Sequence, residues 1–233
     1  MHGRNCREGA RRAALAALAI AACAATARAT PVALPSDAGS RSFDSEQFAD
    51  AVIGSGLGSL SFTFQGPFPA EFNAVSVADA ILGPDLSNGL GISKDDSITL
   101  GFSRPGPVLA IWEAGDQRET GETHLEASID GGATFSRIVL LRPTRVVPDP
   151  EPSGYQTNFQ LLEASDFGLP PGAPIDALRI TSRGPDAAFA HTDILAVAIV
   201  PEPGGLALLA LGLGALGLVR RSRRAQSSWR RHA

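Results

Sequence analysis

Cysteine is nearly missing from this 233-residue chain: Cys6 and Cys23 are the only two, and both lie in the first 23 residues. If that segment is a removable leader, the mature protein has no disulfide, no thiol nucleophile and no cysteine metal site. Its stability must then come from packing alone. Lysine is scarcer still, with Lys94 as the single example, and Tyr155 is the only tyrosine. Histidine offers little, because His2 and His232 fall in the termini and His124 and His191 stand without metal-ligand spacing. The sequence has no G-x-S-x-G elbow, P-loop, H-E-x-x-H or dinucleotide fingerprint. The glycine-rich stretch Gly54 to Leu60 reads as a loop leading into a strand. No repeat of 20–50 residues is visible.

Acidic residues are nearly missing from the two ends. Residues 1–29 carry five arginines and one acid, and residues 204–233 carry six arginines and none. Residues 30–200 carry 22 acids against nine bases, a formal −13. An acidic body repels phosphate backbones, so no nucleic-acid partner is expected. Surface acids of this kind keep an extracellular domain soluble.

The ends are the most informative parts. Arg4, Arg7, Arg11 and Arg12 form a positive n-region, and Ala13 to Ala25 is a small-apolar run. Ala27-Arg28-Ala29 fits the A-x-A cleavage pattern, so residues 1–29 are expected to be a signal peptide cut after Ala29. Ile20-Ala21-Ala22-Cys23 offers a rival reading as a lipobox. At the other end, Pro201-Glu202-Pro203 precedes sixteen uncharged residues, Gly204 to Val219. As a helix these span roughly 24 Å, slightly short of a ~30 Å hydrocarbon core, a gap that local bilayer thinning can close. Arg220, Arg221, Arg223 and Arg224 follow, and such a cluster stays cytoplasmic. The helix is thus expected to cross a membrane with residues 30–200 outside.

The order of triplet, short Gly/Leu-rich helix and arginine cluster closely resembles the PEP-CTERM sorting signal of exported Gram-negative proteins. The resemblance covers Val200 to Arg224 and leaves Ala225 to Ala233 as a basic tail. It implies an exosortase-like membrane enzyme as partner. It also implies that Pro201, Glu202, Pro203 and the four arginines are sorting-recognition residues rather than catalytic ones.

Between the ends, short alternating or apolar runs recur between Gly, Pro, Asp and Asn. These are Leu60 to Phe64, Val75 to Val77, Ile98 to Phe102, Val108 to Trp112, Leu125 to Ile129, Phe135 to Leu141, Leu178 to Ile180 and Ile194 to Val200. About eight strands are predicted over residues 30–199, with one helical turn near Glu163 to Leu169. The fold expected is all-β: an antiparallel sandwich of jelly-roll or Greek-key type, flanked by the signal helix and the transmembrane helix. Asp130-Gly131 between alternating runs is a strong turn signature, with Asp130 as turn-former.

The stretches Ala78–Asp85, Ser97–Phe102, Val108–Gly115, Leu125–Phe135, Ile175–Thr181 and His191–Val200 also resemble, in order, a family of secreted β-sandwich domains that often carries this tail. No settled activity comes with that resemblance. Relatives usually carry an acid ahead of the fourth strand, where this chain has Arg104-Pro105-Gly106-Pro107. Thr192-Asp193-Ile194 keeps one acid.

No catalytic residue is assigned and no cofactor is required. Asp95, Asp96 and Asp193 are the candidate calcium ligands. The carboxylate pairs Asp95–Asp96, Glu113–Asp116 and Glu119–Glu122 are what a glycan hydrolase would draw on. Trp112 lies in an apolar run and is expected in the core. The function expected is an exported, non-enzymatic surface or extracellular-matrix protein, held in the inner membrane and then released or transferred. The alternatives are a carbohydrate- or calcium-binding module of the exopolysaccharide matrix and, after it, a secreted hydrolase.

Overall fold

A computed structural model describes residues 31–66, 71–115, 122–147, 157–183 and 192–200. The expected signal peptide with Ala27 and Ala29, the P-E-P triplet, the apolar tail helix and its arginines lie outside the described residues. No helix among the described residues is long and apolar enough to cross a membrane.

Strand is the main regular structure of the described body. A hairpin of β1 (Pro31–Ser36) and β2 (Gly39–Asp44) comes first. There follow β3 (Ala51–Gly56), β4 (Phe62–Gln65), β5 (Glu71–Phe72), the five-residue helix α1 (Val77–Ile81), β6 (Asn88–Ile92), β7 (Ser97–Gly106) and β8 (Val108–Ala114). The chain continues through β9 (Thr123–Ser128), β10 (Val139–Leu140), β11 (Thr144–Val147), β12 (Thr157–Glu163), β13 (Ile175–Ser182) and β14 (Thr192–Val200).

Two antiparallel sheets face each other. One runs β10-β9-β13-β7-β3 and the other β11-β12-β8-β14-β6-β4-β5. From β6 to β9 successive strands cross between the sheets, and β12, β13 and β14 repeat the crossing. The predicted antiparallel β-sandwich is thus the architecture of the described body. The alternation read from the sequence places the core. Ile98 and Leu100 of β7, Leu125 of β9, Leu178 and Ile180 of β13 and Leu109 and Ile111 of β8 all point between the sheets and are fully or almost fully buried.

A second apolar layer lies on the other side of the seven-stranded sheet, where the β1–β2 hairpin closes over it. Trp112, Ala110 and Ala114, the opposite face of β8, pack there with Phe43, Phe48, Phe64 and Phe159. Trp112 is completely buried, its ring edge-on to Phe43 at 5.0 Å. Its Nε1–H donates to the Pro35 carbonyl at 2.8 Å. The tryptophan is therefore a core residue, as expected, but of a layer that the sequence did not announce.

Three sequence readings change. Val75–Val77 does not extend as a strand: Ser76 caps the following turn, its Oγ accepting the Asp79 N–H at 3.1 Å, and α1 begins at Val77. In the apolar stretch Phe135–Leu141 only Val139–Leu140 forms strand. Gly54 and Gly56 belong to β3 rather than to a loop. The 3-10 turn Ala164–Phe167 falls where one helical turn was predicted.

The two ends of the described body meet. Pro31 pairs with Asp44. The Asp44 N–H donates to Gln47 Oε1 at 2.5 Å, and Gln47 Nε2 donates to the Ile199 carbonyl at 3.1 Å. β14 pairs with β8 as far as Val200, opposite Val108. Chain entry and exit therefore share one end of the sandwich. The β6–β7 and β3–β4 connections lie at the other end, roughly 26 Å away along the nine residues of β14.

Candidate functional site

At the end remote from the chain exit the edge of the sandwich opens into a groove of about 370 Å³. Leu57, Gly58 and Ser61 of the β3–β4 connection contribute one wall, and Asn73, Val75 and Val77 the other. The buried Thr63 and Leu90 lie beneath. None of the residues lining it is ionisable.

Both walls are fixed from behind. Asp96 accepts the Gly58 N–H at 2.8 Å and the Ser61 hydroxyl at 2.5 Å, and Ser61 Oγ in turn accepts the Ser93 N–H at 2.9 Å. On the other side Asn73 N donates to the Thr63 carbonyl at 2.7 Å. Thr63 N donates back to Asn73 Oδ1 at 3.3 Å, and Thr63 Oγ1 donates to the Val75 carbonyl at 2.8 Å. Asn73 thus extends the β4 pairing by one residue with its side chain. It does so at φ 56°, a left-handed conformation that asparagine tolerates better than most residues. Its Nδ2 makes no hydrogen bond among the described residues.

The predicted calcium ligands are differently employed. Asp96 clamps the groove wall. Asp95, at φ 64°, forms the β6–β7 turn and pairs with Arg183 at 2.5 Å. Both partners are about half exposed, so the pair contributes little. Asp193 is in β14, opposite Ala114 of β8 and Gly91 of β6. Among the described residues no three His, Cys, Asp or Glu side chains gather to hold a metal ion.

Glu113 is fully buried on the inner face of β8, where Asn158 Nδ2 donates to its Oε2 at 2.7 Å. Its sequence partner Asp116, with Glu119, Tyr155 and His191, lies outside the described residues. Exposed Glu122 precedes β9, and His124 stands half-buried in β9 beside Leu125.

Asp130 is a turn-former, as predicted. Its carboxylate accepts the Thr134 hydroxyl at 2.6 Å, the Thr134 N–H at 2.8 Å and the Ser128 hydroxyl at 2.8 Å. These bonds, the Thr134 hydroxyl first, lower its pKa from 3.8 to about 2. Both carboxylate oxygens are used on its own turn.

The groove was not foreseen. Its walls come from segments more than ten residues apart, one held by Asp96 from a third segment and the other by Thr63 of β4. The one local signal was Ser76-x-x-Asp79 ahead of an apolar run, which marks the start of α1.

No family model matches this chain, and no curated protein does. Among solved structures it is similar to the CBM32-1 module of a family 31 glycoside hydrolase from Clostridium perfringens, at 9% identity and TM-score 0.35, over 61% of this chain and 95% of that one. It is also similar to a β-1,3-glucan-binding CBM6 from Bacillus halodurans, at 10% identity and TM-score 0.32, over 65% and 91%. A third is the CBM6cm-2 module of Cellvibrio mixtus lichenase 5A, at 11% identity and TM-score 0.29, over 66% and 91%. Likeness at this level assigns neither family nor ligand.

Proposed function

We infer that the chain is an exported, non-enzymatic protein whose β-sandwich is held outside the cytoplasmic membrane by its C-terminal helix and handed on by an exosortase-like enzyme. One observation carries the reading: β14 remains paired up to Val200, and Pro201-Glu202-Pro203 follows at once. A recognition triplet must be extended and reachable. Pro201 and Pro203 cannot donate to a ladder, so pairing is expected to stop where the triplet begins. Entry at Pro31 and exit at Val200 on one end also suit a body tethered to one membrane face before the signal peptide is cut.

The test is fractionation of a doubly tagged protein in its native host. One epitope is inserted at the exposed Asp37–Ala38 turn and the other follows Ala233. The reading expects the first epitope at the surface or in the medium at reduced mass, and the second left in the membrane or degraded. Both epitopes on one full-length membrane species would make the tail an ordinary anchor.

A second reading is favoured by the groove: the displayed body holds polysaccharide of the surrounding matrix without cleaving it. Its walls are built before any ligand arrives, and it lies away from the tethered end. Retention of the exported protein on at least one polysaccharide is the observation it requires.

A further inference from the structure

We propose that the groove between the β3–β4 connection and α1 is a site for a neutral glycan, with Asn73 as the donor that orients it and Asp96 as the residue that positions the wall. The proposal rests on the polysaccharide-holding reading and names its site and ligand class.

Charge is the first discriminator. The body between residues 30 and 200 carries a formal −13, yet residues 51–70 contain no charged side chain. That run supplies one wall of the groove, and the remaining lining is Asn, Ser and aliphatic. A polyanion would find no cation here and would meet the field of the whole body. A cation would find no carboxylate in the lining, and the nearby Asp96 already accepts the Gly58 N–H and the Ser61 hydroxyl through its Oδ2.

Shape and chemistry are the second. At about 370 Å³ the groove is within the ~300–1,000 Å³ of small-ligand sites. Leu57, Val75 and Val77 offer aliphatic surface to the C–H face of a sugar ring. Asn73 Nδ2 offers a donor whose direction is already fixed, because the same side chain's Oδ1 is held by Thr63 N and its backbone N by the Thr63 carbonyl. A donor held in this way loses little freedom on binding. The Gly58–Asp96–Ser61 hydrogen bonds do the same for the opposite wall: a negative charge acts from outside the lining to hold a neutral surface in place.

Placement is the third. The groove lies toward the end opposite Val200, away from the point of tethering.

The test uses the full exported chain, purified after secretion, in affinity electrophoresis through gels containing glucan, mannan or galactan, with polyuronate as the charged comparison. Retardation is expected in at least one neutral gel and not in polyuronate. Asn73→Gly keeps the left-handed backbone accessible and removes the amide. It is expected to weaken binding roughly tenfold while shifting the melting temperature by no more than about 3 °C. Leu57→Trp, which fills the groove, is expected to abolish retardation, and Asp96→Asn to weaken it less than Asn73→Gly. Ile138→Ala, at an exposed position just ahead of β10, is the variant expected to bind as the parent does.

Parent retardation that survives both Asn73→Gly and Leu57→Trp overturns the groove assignment and leaves the polysaccharide reading standing. No retardation in any neutral gel overturns both. Retardation in polyuronate alone overturns the ligand class. Concentration-dependent dimerisation lost in Leu57→Trp, without glycan retardation, would make the groove a seat for a second copy and overturn the proposal.

Discussion

The outer face of the seven-stranded sheet has a covered half and a bare half, and both are aromatic. Under the β1–β2 hairpin, Trp112, Phe43, Phe48 and Phe159 are at most 2% exposed. Toward the β4–β5 edge, Phe62 is half-buried and Phe72 is 55% exposed, although the two rings meet edge-on at 5.3 Å. Residue type does not separate the halves. The hairpin does, by reaching the centre of the sheet and stopping short of its edge. An aromatic on a strand is therefore structural or available according to what a distant segment covers.

The largest effect that would test this contrast is expected at Trp112. Trp112→Ala removes the ring that three phenylalanines pack against and the bond to the Pro35 carbonyl, and should cost about 3–5 kcal/mol in urea-induced unfolding. A loss below ~1 kcal/mol would mean that the hairpin does not seal the layer.

The two glycines of β6 sharpen the comparison at equal chemistry. A Cβ on Gly89 would collide with Phe64 Cζ, and one on Gly91 would come 2.6 Å from Phe62 Cζ. Phe64 is buried in the covered half and cannot swing aside, so Gly89→Ala should cost about 1–3 kcal/mol. Phe62 borders solvent and can yield, so Gly91→Ala should cost clearly less. Equal losses in thermal unfolding would show the halves to be mechanically alike.

Phe72→Ala belongs to the bare half and is expected to change stability by no more than about 0.5 kcal/mol. A loss comparable to that at Trp112 would mean that this edge is covered in the folded protein.

The smallest effect is on the other sheet, at Asp130. Its folded pKa lies near 2, below the ordinary 3.8, so its carboxylate favours the folded state fully above about pH 4. The gain fades as pH falls from 3.8 towards 2. Asp130→Asn should therefore lower the melting temperature slightly at pH 7, and the gap to the parent should narrow at pH 2. A gap that stays constant would assign the effect to the hydrogen bonds rather than the charge.

Much of the inner core was legible because it is written in local alternation. Ile98-x-Leu100 and Leu125-x-Ala127 place successive side chains on opposite faces whatever else the chain does. β1, β2, β3, β5, β6, β11 and β12 were missed, so fourteen strands stand among the described residues where about eight were predicted. Pro31, Pro35 and the polar Gly39–Ser42 break any pattern in the first hairpin, Gly89 and Gly91 interrupt β6, and these strands are fixed by pairing with partners elsewhere in the chain. The same limit applies to the site. Asp95 and Asp96 read as adjacent carboxylates and hence as possible metal ligands. In the folded chain one turns to Arg183 and the other to Gly58 and Ser61, 38 and 35 residues away.

By itself the sequence determined the strand-rich class, the acidic body between basic ends, the absence of thiol chemistry from any chain cut after Ala29, and the order of triplet, apolar run and arginines at the C-terminus. Each depends on composition or on neighbours within a few residues. Only the tertiary structure decided that Trp112 belongs to a second layer, that the chain enters and leaves at one end, and that Asn73 and Asp96 frame one groove. Those facts depend on which distant strands pair and which face a hairpin covers. Backbone hydrogen bonding fixes pairing and long-range packing fixes coverage, and neither leaves a local trace in the chain.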